Sequence, residues 1–394
     1  MTYAVATRAV RAGIDSDPTH GAVVPPLFLS ANFSFDGFEG KRRYDYTRSG
    51  NPTRDQLAEA LAALEGASGG VVTATGMGAV ALVLHALLVP GDRLLVPHDC
   101  YGGSWRLFNA LAAKGAFEVE TCDFTDGVAL LDALSRKPTL VWIETPSNPL
   151  LRITDLRAVI GAAHAAGALV AADNTFLSPS LQRPIEHGAD IVVHSTTKYI
   201  NGHSDVVGGA ALVRDPAIVE QLAWWANALG LTGSPFDSYM TLRGLRTLDA
   251  RLRLQQANCA ALAQRLAVSE AVAAVHYPGL ASHPGHAVAA RQQDGFGAML
   301  SFDLKGGEAA VRAFVAGLGC FTLAESLGGV ESLVAHPATM THAAMSVEAR
   351  EQAGIGPGLV RLSVGIEDIA DLGADLDAAL QRAELASCAK EHSQ

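Results

Sequence analysis

The chain has 394 residues, 49% of them hydrophobic and 18% charged, with a formal net charge of −11. This is a globular composition, long enough for two or three domains with sizeable cores. An acidic chain without clustered Lys and Arg excludes a nucleic-acid surface, and no apolar run reaches the ~18 residues of a membrane span. The first residues carry Arg8 and Arg11 and no apolar stretch of a signal peptide. The five cysteines (Cys100, Cys122, Cys259, Cys320, Cys388) are scattered without a CxxC pair, which reads as reduced thiols in a cytoplasm. Cys100 lies beside a motif-rich segment and is either a small core residue or a reactive thiol.

Residues 1–52 hold Pro18, Pro25, Pro26 and a polar run over 42–51, with no sustained period. They read as an arm crossing other structure, a second subunit included, or as a loose surface loop. A helix is predicted over 53–65, with Leu57, Leu61 and Leu64 on one face and Gly66 after it. Short apolar runs follow at 71–75, 94–97, 140–144, 169–173, 191–194 and 210–213. They do not alternate, as expected of strands buried on both faces. Helical stretches separate them; the clearest covers 154–166, with Thr154 as N-cap and Gly167 past the end. Such alternation predicts an α/β unit with a mainly parallel central sheet over 53–245. A long helical pattern over 249–266, then strands at 298–304 and 360–363 among helices, predicts a smaller α+β unit over 246–394.

In α/β sheets, ligands gather beyond the carboxyl ends of the strands. Polar or special residues stand at four such ends: 75–77, 144–148, 173–175 and 194–198. Of the six lysines (Lys41, Lys114, Lys137, Lys198, Lys305, Lys390), Lys198 alone follows a buried-strand run. An ammonium there is costly unless paired or chemically used, and burial lowers its pKa, as a Schiff-base lysine requires. A buried ion pair is the other reading. Asp173 ends the preceding strand and would lie near Lys198. Pyridoxal phosphate needs an amine for its aldehyde, an acid facing its pyridine nitrogen and a cradle for its phosphate. Asp173 supplies the acid, Ser195 and Thr197 supply hydroxyls, and the turn Thr75-Gly76-Met77-Gly78 opens a helix whose free N–H groups suit a phosphate. The same turn matches a dinucleotide fingerprint, with Asp92 or Asp99 as ribose partner, so a nicotinamide or flavin oxidoreductase is the competing class. His283, His286, His336 and His342 lack the clustering of a metal site, and no metal is expected. Tyr101 follows a strand end and either stacks on a planar cofactor or fills the core.

Six longer motifs contain these residues: Tyr46-Thr-Arg48-Ser-Gly-Asn-Pro-Thr53, Pro97-His-Asp-Cys-Tyr101-Gly-Gly, Glu144-Thr-Pro-Ser-Asn148-Pro, Asp173-Asn-Thr-Phe, His194-Ser-Thr-Thr-Lys198-Tyr-Ile-Asn-Gly-His and Ala324-Glu325-Ser326-Leu-Gly-Gly. In them the chain resembles the Cys/Met-metabolism pyridoxal-phosphate enzymes, from about Thr7 to about Leu385. The resemblance implies an aspartate-aminotransferase-like α/β fold (fold type I). Pyridoxal 5'-phosphate would be held by Lys198, which is also the general base. Asp173 would face the pyridine nitrogen, and Tyr101 would stack on the ring and assist proton transfer. Gly76, Met77, Ser195 and Thr197 would hold the phosphate, with Tyr46 and Arg48 reaching the phosphate of a neighbouring subunit. Arg361 would clamp the substrate α-carboxylate, helped by Ser326 and Asn148, the latter also beside the cofactor. Glu325 would position the substrate or Lys198. The resemblance also implies a cytoplasmic homotetramer of dimers with shared sites, acting on amino acids. Gly103 stands where methionine γ-lyases usually place Cys, and Glu325 where β-lyases usually carry an aromatic residue. Asp45, Arg106, Trp224-Trp225 and Asn227 look like the synthase branch. The implied reaction is γ-replacement on O-succinylhomoserine or another O-acylhomoserine by cysteine, with γ-elimination of cystathionine as the alternative. A regulatory, non-enzymatic pyridoxal-binding protein is a further class, favoured by no segment of the chain.

Overall fold

The structure, a computed structural model, describes residues 3–343, 345 and 347–391; residues 392–394 of the expected C-terminal unit lie outside the described residues. A seven-stranded sheet is built from β1 (Gly69–Thr73), β2 (Arg93–Pro97), β3 (Glu118–Cys122), β4 (Leu140–Glu144), β5 (Leu169–Asp173), β6 (Ile191–His194) and β7 (Gly209–Val213). Its order is β1-β7-β6-β5-β4-β2-β3. The pairs among β2, β3, β4, β5 and β6 are parallel, as expected, whereas β7 runs antiparallel to both β1 and β6. Two antiparallel steps bring β1 back to the direction of β6. The carboxyl ends of β1, β2, β4, β5 and β6 therefore open at one end of the sheet.

The strands β4, β6 and β7 are buried throughout, which explains their unbroken apolar runs. Helices cover the faces. On one, Trp142 of β4 meets Phe108 edge-on at 5.5 Å. Burying an aliphatic or aromatic side chain here contributes about 1.5–3 kcal/mol. The helix Pro52–Glu65 buries Leu57, Leu61 and Leu64; the Asn51 side chain caps it by accepting from the Thr53 and Arg54 amides, and Gly66 ends it at φ 78°.

Most boundaries fall within two residues of those expected from the sequence, and two of the differences bear on the site. The first strand stops at Thr73, because Thr75 turns to cap the helix Gly76–Leu87, its hydroxyl accepting from the Gly78 amide. The helix expected to start at Thr154 is capped by Asp155 and spans Leu156–Ala165. Thr154 is held outside it, its amide donating to Thr145 Oγ1 and its carbonyl accepting from Gln292 Nε2.

A second sheet follows: β8 (Val272–His276), β9 (Met299–Leu304), β10 (Thr322–Leu323), β11 (Leu333–Ala335) and β12 (Leu359–Ser363), in the order β10-β11-β12-β9-β8. Phe302 and Phe314 pack edge-on at 5.5 Å beneath it. Its hydrophobic cluster is continuous with Leu57, Leu61 and Tyr199 of the first half, through the 20-residue helix Leu248–Ala267. Among the described residues before Pro52 there is one short helix, Val5–Val10; the rest runs irregularly, with Val23, Leu29, Phe35 and Phe38 exposed. Among the described residues no helix is long and apolar enough to cross a membrane.

Candidate active site

The shared strand ends border a cavity of about 560 Å³, the size of a small-molecule site. Lys198, Asp173, Gly76, Met77, Ser195, Thr197, Tyr101, Asn148, Arg106, Glu325, Ser326 and Arg361 all line it. Lys198 Nζ donates to Ser326 Oγ at 2.8 Å. Burial, and then the Arg361 charge, lower its pKa to about 8, with Glu325 pulling the other way.

Ser326 itself has φ 86°, a conformation that costs a non-glycine residue of order 1–3 kcal/mol. Two contacts hold it there: its hydroxyl meets Lys198, and its carbonyl accepts from Arg361 Nη2 at 2.9 Å. Arg361 is 2% exposed, in the middle of β12. Its Nη1 donates to Asn148 Oδ1 at 2.9 Å, and its Nε is buried without a partner. Burial lowers its pKa to about 10, so it stays charged at neutral pH.

Asp173 closes β5 and accepts from the Thr175 amide at 3.0 Å. Burial pushes its pKa up, while the Thr175 bonds and His194 oppose this. Thr175 also orients the lysine segment, its hydroxyl accepting from the Ser195 amide at 2.9 Å. Tyr101 is 40% exposed and opens the helix Gly102–Ala113; burial, then Glu325 and Glu144, raise its pKa, so its phenol keeps its proton at neutral pH.

These residues fit pyridoxal phosphate. Asp173 faces the cavity with no ion-pair cation among the described residues, a place for a protonated pyridine nitrogen. At the phosphate end, Gly76 and Met77 are the first two residues of their helix, where amides have no intrahelical carbonyl to bond. A Cβ on Gly76 would meet Ser195 Cβ at 2.7 Å, so only glycine lets these two segments close together. The Thr197 hydroxyl sits in the same wall, accepting from the Gly208 amide at 3.0 Å.

Asp45, Tyr46, Arg48 and Asn227 do not line this cavity. They form a separate group on the arm and the helix Pro216–Leu229: Arg48 Nε donates to Asn227 Oδ1 at 3.1 Å and lies 5.6 Å from the Tyr46 ring centre, and Asp45 pairs with Lys41 at 2.9 Å.

The chain matches the family model described as Cys/Met metabolism PLP-dependent enzyme over residues 6–381. It belongs to that family. Cystathionine γ-synthase of Escherichia coli (strain K12) is 55% identical over 377 residues, covering 96% of this chain and 98% of the relative. A solved structure of cystathionine γ-synthase from Xanthomonas oryzae pv. oryzae, in complex with aminoacrylate and cysteine, superposes with a TM-score of 0.97 at 68% identity, over 98% of this chain and all of that one. Cystathionine β-lyase of Coxiella burnetii (strain RSA 493 / Nine Mile phase I) is 45% identical over 95% of this chain and 97% of its own. The family uses pyridoxal phosphate, so the cofactor expected from the strand ends is the family's cofactor.

The competing readings lose their residues. Asp92 and Asp99, the acids a dinucleotide would need, lie outside the cavity wall. Asp92 accepts from the Val89 amide and the Thr139 hydroxyl, and Asp99 pairs with Arg152 at 3.1 Å. Cys100 is buried, and burial with Glu144 and Asp99 nearby pushes its thiol well above the ordinary range, so it is a core residue and no reactive thiolate. Among the described residues no group of three or more His, Cys, Asp or Glu could hold a metal ion.

Sequence reasoning missed three contributors. Thr175 and Glu144 were visible only as strand-end polar residues. His342, set aside as a core or surface histidine, reaches the site by donating from Nε2 to the Asn148 carbonyl at 3.1 Å.

Proposed function

We propose that this chain catalyses γ-replacement on an O-acylhomoserine, O-succinylhomoserine first, with the thiol of cysteine as incoming group and cystathionine as product. The observation that carries the reading is one cavity holding a partly neutral lysine, a buried carboxylate clamp and two exposed charges, Arg106 and Glu325. The synthase relatives share nearly the whole chain, which supports it. A β-lyase relative at 45% identity means that overall identity does not sort these activities, so the residues around the cavity must.

Pyridoxal phosphate supplies an electron sink for the pairs left at Cα and Cβ. The chain supplies the rest. Arg361, fixed by Asn148 and the Ser326 carbonyl, takes the substrate α-carboxylate through paired N–H groups. Lys198 Nζ, beside Ser326, removes the proton at Cα and carries protons to and from the neighbouring carbon. Asp173 would hold the pyridine nitrogen in its protonated form, Tyr101 would lie against the ring and offer a phenolic proton, and Gly76, Met77, Ser195 and Thr197 would hold the phosphate. Arg106, exposed in the cavity wall, suits the distal carboxylate of a succinyl ester. Glu325 faces the same space and is the carboxylate that orients the incoming amino acid or Lys198.

We infer further that the arm, residues 1–52, brings Tyr46 and Arg48 to the phosphate of a neighbouring subunit, with Asp45 and, from the helix Pro216–Leu229, Asn227 beside the substrate, in a homotetramer of dimers. Apolar side chains exposed on the arm and at Trp224 support a covered surface there. The two separate sheets support a division into a large unit, 53–245, and a smaller one, 246–394. Five scattered cysteines without a CxxC pair support a reducing cytoplasm. A γ-lyase remains the second reading, because Glu325 serves both.

The assay that divides them supplies O-succinylhomoserine with cysteine in one tube and cystathionine alone in another. Cystathionine formation in the first is expected to exceed 2-oxobutyrate release in the second. The reverse ratio makes the chain a lyase.

A further inference from the structure

Glu144 closes β4 and is buried at the back of the cavity. Its Oε2 accepts from the Tyr101 amide at 2.8 Å, and its Oε1 accepts from the Asn148 amide at 3.2 Å. Asn148 is in turn held at its backbone amide, its carbonyl and its side-chain oxygen. Its amide meets Glu144, its carbonyl accepts from His342 Nε2 at 3.1 Å, and its Oδ1 accepts from Arg361 Nη1 at 2.9 Å. Tyr101 and Arg361 therefore lead back to one carboxylate by two short routes.

A carboxylate in this place is costly. It is in register with Asp173 on the next strand, and removing a charge from water carries a penalty of several kcal/mol unless its oxygens are paired. Burial first, and then Asp173, push the Glu144 pKa well above the ordinary range, while the Tyr101 and Asn148 amides pull it down. Leucine or glutamine would fill the same volume without the like-charge cost. Neither offers two acceptors to two amides that approach from opposite loops.

We propose that Glu144 is a positioning residue that ties the Tyr101 loop and the Arg361 clamp to one strand end, with His342 as a second grip on the clamp alone. His342 can serve because its ring is neutral. Nε2 donates to Asn148, Nδ1 lies 2.8 Å from the Thr341 hydroxyl, and burial, with Arg361 adding to it, lowers its pKa to about 4. The spacing between the face that covers the cofactor and the clamp that holds the substrate carboxylate is then set by Glu144. This rests on the proposed role of Arg361 as the carboxylate clamp.

The test uses the holoenzyme and L-alanine, an α-amino acid with no γ-leaving group. Titration of the cofactor's visible absorption gives a half-saturation concentration, and circular dichroism of the same band reports the ring's surroundings. Glu144→Gln keeps the volume and one acceptor; it is expected to raise half-saturation about tenfold, the loss of one bond to a charged acceptor, and to alter the dichroism. Glu144→Leu should move both further. His342→Leu should raise half-saturation and leave the dichroism as in wild type, since it releases only the clamp. Glu144 variants that bind alanine as wild type does, with only the thermal midpoint changed, overturn the inference. A wild type that answers alanine as described but makes no cystathionine overturns the proposed reaction and leaves the positioning role standing.

Discussion

Lys198→Ala is expected to yield a colourless protein whose turnover of O-succinylhomoserine and cysteine falls by at least about 10³-fold. Lys198 lines the cavity, and its amine is the group proposed to hold the cofactor and to move the proton at Cα. With its pKa lowered to about 8, roughly a tenth of the amine is neutral at pH 7, against roughly one in a few thousand for a free lysine. The sign of the pH dependence follows. A base must be unprotonated, so kcat is expected to rise as pH climbs through about 8 and to fall below it. A profile flat from about pH 6 to about pH 9, a range that spans the lowered value of about 8, would place the base elsewhere.

The second large effect lies at Arg361. Arg361→Lys is expected to lower kcat/KM by about 10²–10³-fold, chiefly through KM, because truncating a buried charged partner costs about 2–5 kcal/mol. Lysine keeps the charge but cannot meet Asn148 Oδ1, the Ser326 carbonyl and a carboxylate at once. Arg361→Met adds a second signature. Arg361 is one of the two causes that hold the Lys198 pKa down; without it the ammonium is less disfavoured, and the acid limb of the kcat profile moves to higher pH. The lysine variant keeps the charge and should keep the limb. Steady-state kinetics of both variants across pH separates the two roles. A KM unchanged in Arg361→Lys would remove the clamp from this residue.

The chemistry of the large sheet was legible wherever it was local. Asp173 ends, and Lys198 follows, an apolar run buried in the structure, and a polar residue at such a place can be read without knowing the fold. The helix-opening turn at Gly76 was legible for the same reason. Other parts were hidden by physics that spans distance. The edge strand Glu118–Cys122 has no apolar run, because Glu118 and Glu120 point outward to pair with Arg93 and Arg136. The reversal of β7 leaves no mark, since a strand buried on both faces reads alike in either direction. Arg361 sits in a five-residue buried strand of the second sheet and meets Lys198's neighbour Ser326 only in three dimensions. Its role came from the family resemblance, although a charge inside a buried strand is a signal in its own right. His342 was passed over because its partner, the Asn148 carbonyl, is 194 positions away.

The account depends most on Lys198 being the residue that holds the cofactor. Borohydride reduction of the purified holoenzyme, followed by proteolysis and mass spectrometry, reads this directly, since reduction fixes the cofactor to whichever amine carries it. The cofactor's mass is expected on the peptide containing His194-Ser-Thr-Thr-Lys198-Tyr, at Lys198. Its appearance on any of the other five lysines, or on no lysine at all, would contradict this assignment.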